Sequence, residues 1–189
     1  MVRAFTQEYT YEHPWERVKS AFWRKFGEPE NRLIYHIVEV DTLNRRLDAP
    51  SGKLYSTRAI TIQCPGPWFL RKIAGQDICH CVELTVVDAR SQSMRLTTRN
   101  VSLRKMIEVE ENIRYDPHPE NPSGWTICRH HTRIWIKPLS ALASIAEKVE
   151  HRCAESFIQN GAKGREVMES ICKYLEAQPT GLSCSFLPK

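Results

Sequence analysis

One pattern recurs six times between residues 33 and 136. The stretches 33–43, 53–63, 78–88, 94–102, 106–115 and 125–136 alternate apolar with polar residues and are rich in β-branched side chains. That is how half-buried strands read. Asp48-Ala49-Pro50-Ser51-Gly52, Ala89-Arg90-Ser91-Gln92 and the Pro-rich run from Asp116 to Gly124 separate them in pairs, as hairpin turns do. Phe5 to Tyr11 adds a seventh strand, its bulky residues at odd positions. His13-Pro14 stops it. Trp15, Val18, Phe22 and Phe26 then recur at helical spacing, with charged residues on the other faces, until Gly27 and Pro29. After Lys137-Pro138 a second helical pattern runs from residue 139 to 177 through Leu142, Val149, Phe157, Gly161, Gly164 and Ile171, with a bend expected near the two glycines. The order predicts an α+β fold: a curved seven-stranded antiparallel sheet, a short N-terminal helix, and a long C-terminal helix laid across the concave face in a helix-grip-like arrangement. Such a layering leaves a cavity between helix and sheet. Residues 1–177 read as one domain and 178–189 as a flexible tail.

Charge narrows the function classes only slightly. The chain has 189 residues, with 27 Lys and Arg against 22 Asp and Glu, a net charge of +5 and no run of five basic residues. Its aromatic residues fall on core rows rather than on a stacking platform, so a nucleic-acid partner is not expected. No stretch of 18 apolar residues is present. The start, Met-Val-Arg-Ala-Phe-Thr-Gln, reads neither as a signal peptide nor as an Arg/Ser-rich presequence. Phosphate-binding, nucleotide-binding and hydrolase motifs are missing from the sequence, so it offers no catalytic residue, and no cofactor is expected.

Polar residues on apolar rows carry more information. His36 shares a parity with Ile34, Val38 and Val40, and Arg58 with Leu54, Ile60 and Ile62. Asn160 and Lys163 interrupt the helical row between Phe157 and Val167, and Lys25 follows Trp23 and Arg24 at the end of the first helix. Burying an unpaired charge costs several kcal/mol. Arg58 and Lys163 therefore need an internal carboxylate such as Glu83 or Glu111, a route to water, or an anionic ligand. His36 is open to the same choice between a hydrogen-bonded core residue and a ligand contact.

Two further stretches stand out. From Cys64 to Gly75, two prolines and a glycine break the sheet, and Pro67, Trp68, Phe69 and Leu70 run directly into Arg71 and Lys72. That combination suits a lid or a membrane-touching loop, or a short element packed on the sheet. Cys79-His80-Cys81 with Cys128 and His130 allows a four-ligand metal site to be drawn, but the spacing fits no familiar zinc motif. Buried thiols are the expectation, with no metal.

These residues also carry a resemblance. Tyr11-Glu12-His13-Pro14-Trp15-Glu16-Arg17-Val18, the 40–45 stretch Val-Asp-Thr-Leu-Asn-Arg, Gly52-Lys53-Leu54 leading to Thr57-Arg58, Val86-Val87-Asp88, Thr98-Arg99-Asn100, Val109-Glu110-Glu111, the 115–119 stretch and Lys163-Gly164-Arg165-Glu166-Val167-Met168-Glu169 resemble the PRELI/Slowmo family, a match that runs from residue 1 to about residue 177. The resemblance implies a phospholipid-transfer protein, not an enzyme, in the mitochondrial intermembrane space, a compartment this family enters without a presequence. It implies an anionic phospholipid as cargo (phosphatidic acid first, phosphatidylserine next), transient contact with an anionic membrane surface, and a small helical twin Cys-x9-Cys partner protein. By motif, the family's headgroup pocket falls on Lys25, His36, Arg58, Asn160 and Lys163, and its lid on residues 65–75. Another apolar-ligand binder, or an enzyme acting on a bound lipid, is the alternative.

Overall fold

A computed structural model describes residues 2–26, 34, 36–63, 78–137 and 146–178. Seven strands form one sheet: β1 (Val2–Tyr11), β2 (Ile37–Asp48), β3 (Lys53–Gln63), β4 (Ile78–Asp88), β5 (Ser93–Asn100), β6 (Ile107–Pro117) and β7 (Thr126–Ile136). Every neighbouring pair is antiparallel, in the order β1-β7-β6-β5-β4-β3-β2. The meander is therefore consecutive, and β1 closes onto β7. Helix α1 (Trp15–Arg24) follows β1, and α2 (Ala146–Ala177) crosses the sheet. The expected fold class is the observed one.

Two apolar clusters hold α2 against the sheet. In the larger, Trp15, Val18, Ala21 and Phe22 of α1 are buried against Tyr11, Met94, Leu96 and Tyr115 of the sheet and Val167, Met168, Ile171 and Cys172 of α2. Each large side chain buried here contributes about 1.5–3 kcal/mol. The smaller gathers Ile107, Ile134, Ile136 and Ala154, with Phe5 and Phe157 against it. Polar bonds fasten the first cluster at its rim. His13 lies within hydrogen-bond distance of Glu169 (3.1 Å) and of Arg17 (3.1 Å), and Arg17 pairs with Glu176 at 3.0 Å.

One detail differs from the sequence reading. Strand β2 starts at Ile37 rather than at residue 33, and register shifts at Ile37/Glu39 and Thr42/Asn44 break its parity. Each bulge inserts a residue and turns the following side chains over. Val38, read as inward, is 58% exposed, and His36 lies in the turn before the strand, its carbonyl accepting from the Gln63 amide at 2.7 Å. Helix α2 is continuous through Gly161 and Gly164, 32 residues or about 48 Å at the ideal rise. A Cβ at Gly164 would meet no atom within 4 Å. Gly164→Ala is therefore expected to stabilise the fold by about 0.5–1 kcal/mol, a rise of a few degrees in thermal unfolding. A fall would mean that this backbone has to bend. The tail after residue 178 and the stretch from Pro67 to Lys72 lie outside the described residues.

Candidate functional site

Between the two clusters, the concave sheet face and α2 enclose a cavity of about 280 Å³. Its wall is mostly apolar, supplied by Tyr9 and Tyr11 of β1, Ile60 and Ile62 of β3, Val109 and Ile113 of β6, and Phe157 and Met168 of α2. Four cysteines, Cys79, Cys81, Cys128 and Cys153, belong to it as well. Burial pushes the Cys81 and Cys128 thiols up to about 11, which keeps them protonated and apolar. None of the five described cysteines forms a disulfide. Among the described residues no three His, Cys, Asp or Glu side chains gather as a metal site.

Of the five residues read as a headgroup pocket, Lys25, His36 and Asn160 line the cavity; Arg58 and Lys163 are not in its wall. Lys25 extends from the end of α1, its ammonium 4.4 Å from the Phe22 ring centre and 4.6 Å from that of Phe26. Burial pushes its pKa down to about 8, against the pull of Glu83 and Glu111. His36 is half-buried, and burial together with the positive charge of Lys163 holds it below the usual histidine range. Lys163 therefore acts on the site by its field. Helix geometry explains its absence from the wall: at 100° per residue, Gly161 and Gly164 sit closer than Lys163 to the row that faces the sheet.

Arg58 has another task. It is 4% exposed, and its Nε donates to Glu83 at 2.9 Å, with Nη2 on the same oxygen. Its guanidinium carbon lies 4.8 Å from the ring centre of Phe22, 5.2 Å from that of Trp23 and 5.1 Å from that of Phe26. The internal-carboxylate alternative is the one the fold adopts, and cation–π contact with α1 completes the cage. Arg58 is held between Glu83, which lines the cavity, and the rings at the end of α1.

Gln7 and Arg165 escaped the sequence reading, while Glu111 entered it only as an ion-pair partner and His130 only in the metal alternative. Arg165 lines the cavity and lies over the Tyr9 ring at 5.7 Å. Gln7, Glu111 and His130 line it too. Their signal was parity, since Gln7 shares a row with Phe5 and Tyr9, and Glu111 with Val109 and Ile113.

A sheet gripping one long helix around such a chamber is the helix-grip, Bet v1-like fold. The structure matches that of Zhui aromatase/cyclase from Streptomyces with a TM-score of 0.65, at 9% identity over 96% of this chain and 100% of that one. It matches TTHA0849 from Thermus thermophilus with a TM-score of 0.55, at 11% identity over 93% and 100%. At these identities the likeness is one of fold alone. Sequence defines the group more narrowly. Residues 16–178 match the PRELI-like family, and the chain belongs to it. It is 31% identical over 164 residues to the protein slowmo homolog of Dictyostelium discoideum, covering 87% of this chain and 68% of that protein. It is 29% identical over 171 residues to a UPS-like protein of Schizosaccharomyces pombe (90% and 89% covered) and 25% identical over 171 residues to the mitochondrial protein UPS2 of Saccharomyces cerevisiae (90% and 72%).

Proposed function

We propose that this chain is a lipid carrier. It extracts an anionic phospholipid, of the phosphatidic acid or phosphatidylserine class, from one mitochondrial membrane and delivers it to another across the intermembrane space. The observation that supports this most directly is the cavity itself: an apolar chamber in a PRELI-like chain, with the cations Lys25 and Arg165 and the imidazole of His36 in its wall. A relative named as mitochondrial supports the location.

The physical problem is the acyl chains. Exposing them to water costs about 0.8 kcal/mol per CH₂, so two 16-carbon chains oppose desorption by roughly 25 kcal/mol. A protein wall that replaces the bilayer along the path lowers that barrier. The phosphate is held by Lys25 and His36, with Asn160 donating beside them and the field of Lys163 behind. The chains lie against the apolar wall. Holding must stay comparable with the bilayer, or delivery fails. No bond is made or broken, so the lipid leaves chemically unchanged. The sequence from Pro67 to Lys72, apolar and then basic, is the part assigned to the anionic membrane surface. A small twin Cys-x9-Cys protein is the assigned partner.

Transfer of labelled phospholipids between liposomes tests this, run with the chain alone and with such a partner. Transfer of anionic phospholipid above the protein-free rate is expected, with phosphatidylcholine left behind. No transfer of any lipid under either condition would sink the reading, and a lipid recovered chemically altered would point to an enzyme instead.

A further inference from the structure

Lys25 brings an amine into an apolar chamber. Among the described residues it is the one lysine in the cavity wall, its nitrogen 4.4 Å from the Phe22 ring centre and 4.6 Å from that of Phe26. Charged and titratable groups act on it from four strands: Arg58 of β3, Glu83 of β4, Glu111 of β6 and Cys128 of β7. The register orders the two carboxylates. Glu83 and Glu111 both pair with Thr98 of β5, one from each side, so they stand two strand spacings apart, about 9.5 Å, in the cavity wall. Glu83 accepts from Arg58 at 2.9 Å, and Glu111 Oε1 lies 3.0 Å from His130 Nε2.

Holding a phosphate uses only the charge of this side chain. Its nitrogen is also a nucleophile wherever it is unprotonated. Burial lowers its pKa to about 8, so part of the population is neutral amine near neutral pH, the condition under which buried lysines form Schiff bases. The surroundings suit the product as well. An ammonium and an aldehyde become an iminium and one water, with no change in net charge. The two carboxylates and the two rings that support the ammonium therefore support the iminium that replaces it. An apolar wall that excludes water favours the dehydration.

We infer that Lys25 is a covalent capture site for aliphatic aldehydes, taking an aldehyde group at the end of an apolar chain that lies along the cavity wall. Glu111, whose charge reaches Lys25, takes the proton that the ammonium sheds. The amine lone pair then bonds to the carbonyl carbon, the C=O π pair moves to oxygen, and a nitrogen proton passes to that oxygen to give a carbinolamine. Glu111 returns its proton to the hydroxyl, which departs as water while the nitrogen lone pair closes the C=N bond. His130 backs Glu111 through both transfers. The inference goes beyond the carrier reading: it needs a cavity that admits an apolar chain, and neither an anionic headgroup nor a membrane.

The test incubates the full chain at neutral pH with decanal and sodium cyanoborohydride, whose hydride reduces an imine to a stable secondary amine. Peptide mapping by mass spectrometry then locates the decyl group. Lys25 should be labelled at least tenfold faster than the exposed Lys105 and Lys173. Propanal, too short to gain from the wall, should lower that preference at least threefold. A second arm replaces decanal with vesicles of a phosphatidylcholine whose truncated acyl chain ends in an aldehyde. Labelling by both probes supports capture of free and lipid-borne aldehydes alike, and labelling by one alone assigns the site to that source. Lys25→Met should lose the fast-labelled site while Lys105 and Lys173 react as before, with circular dichroism monitoring its fold; the wild-type map decides even where this variant fails to fold. Lys25 labelled by neither probe faster than the exposed lysines, or with the same preference for propanal as for decanal, overturns the assignment. The liposome assay keeps the two readings apart. A chain that transfers phospholipid yet fails to label loses only the aldehyde site, and one that labels at Lys25 yet transfers nothing loses only the carrier reading.

Discussion

Replacing Arg58 with methionine is expected to lower the melting temperature by about 10 °C with no ligand present. Breaking a buried ion pair from one side costs about 3–5 kcal/mol, because the partner charge is left without compensation. For a chain of this length each kcal/mol is about 2–4 °C. Arg58 and Glu83 are 4% and 3% exposed, so little water reaches the orphaned carboxylate. The loss also empties the cage of Phe22, Trp23 and Phe26 that holds the end of α1. The double variant Arg58→Met/Glu83→Leu should recover at least half of the fall, since an apolar pair of similar volume needs no counter-charge. It should also take up lipid within about threefold of wild type, because neither role requires Arg58 to touch the cargo. Thermal unfolding and lipid retention separate the possibilities. An Arg58→Met protein melting within 2 °C of wild type would remove the structural role. A stable double variant that holds no lipid would return Arg58 to the binding site.

That case shows how far the sequence could be read. Parity placed Arg58 on an inward face and named Glu83 as a possible partner, and the register makes the two direct neighbours. Burial logic alone could not choose between a carboxylate and a ligand, because both satisfy a buried guanidinium. The strand order was legible because alternation and turn chemistry are local. Failures came where one residue's offset matters. Two bulges in β2 invert its parity, so Val38 points to water and His36 reaches the cavity from a turn. On α2, the row through Asn160 and Lys163 drifts off the face that meets the sheet at Lys163, and Gly161 and Gly164 mark that face instead. Glu111, His130 and Gln7 were on the correct rows throughout. Glu111 and His130 meet across the β6–β7 hairpin, but Gln7 joins them only because β1 pairs with β7, a contact between the first and last strands of the chain that no local pattern encodes.

Lys25→Met is expected to cut transfer of anionic phospholipid at least tenfold while leaving the empty protein as stable as wild type, or more so. The opposite signs follow from one cause. Burial holds the Lys25 ammonium at about 8 in the folded chain, against about 10.4 when unfolded. Between these values the unfolded chain binds more protons, so this group's contribution to stability improves as pH rises from about 8 to 10.4, and its penalty is fully present below pH 8. Methionine removes that penalty at neutral pH and keeps an apolar stem at the site, which offsets the loss of the ammonium's contacts with the Phe22 and Phe26 rings. Function runs the other way. A charge-assisted hydrogen bond contributes about 1.5–3 kcal/mol, or roughly ten- to a hundredfold in affinity. Phosphatidylglycerol is the probe of choice, because its phosphodiester keeps one negative charge throughout the range. Wild-type retention of it should fall as pH rises above 8 and Lys25 loses its proton. A bound phosphate favours the ammonium, so the fall should be displaced upward and loading near pH 8 should take up protons. Retention by Lys25→Met should be weak and flat across that window. A variant that transfers within twofold of wild type, or one that melts well below it at pH 7, would show that the Lys25 charge serves the fold and not the cargo.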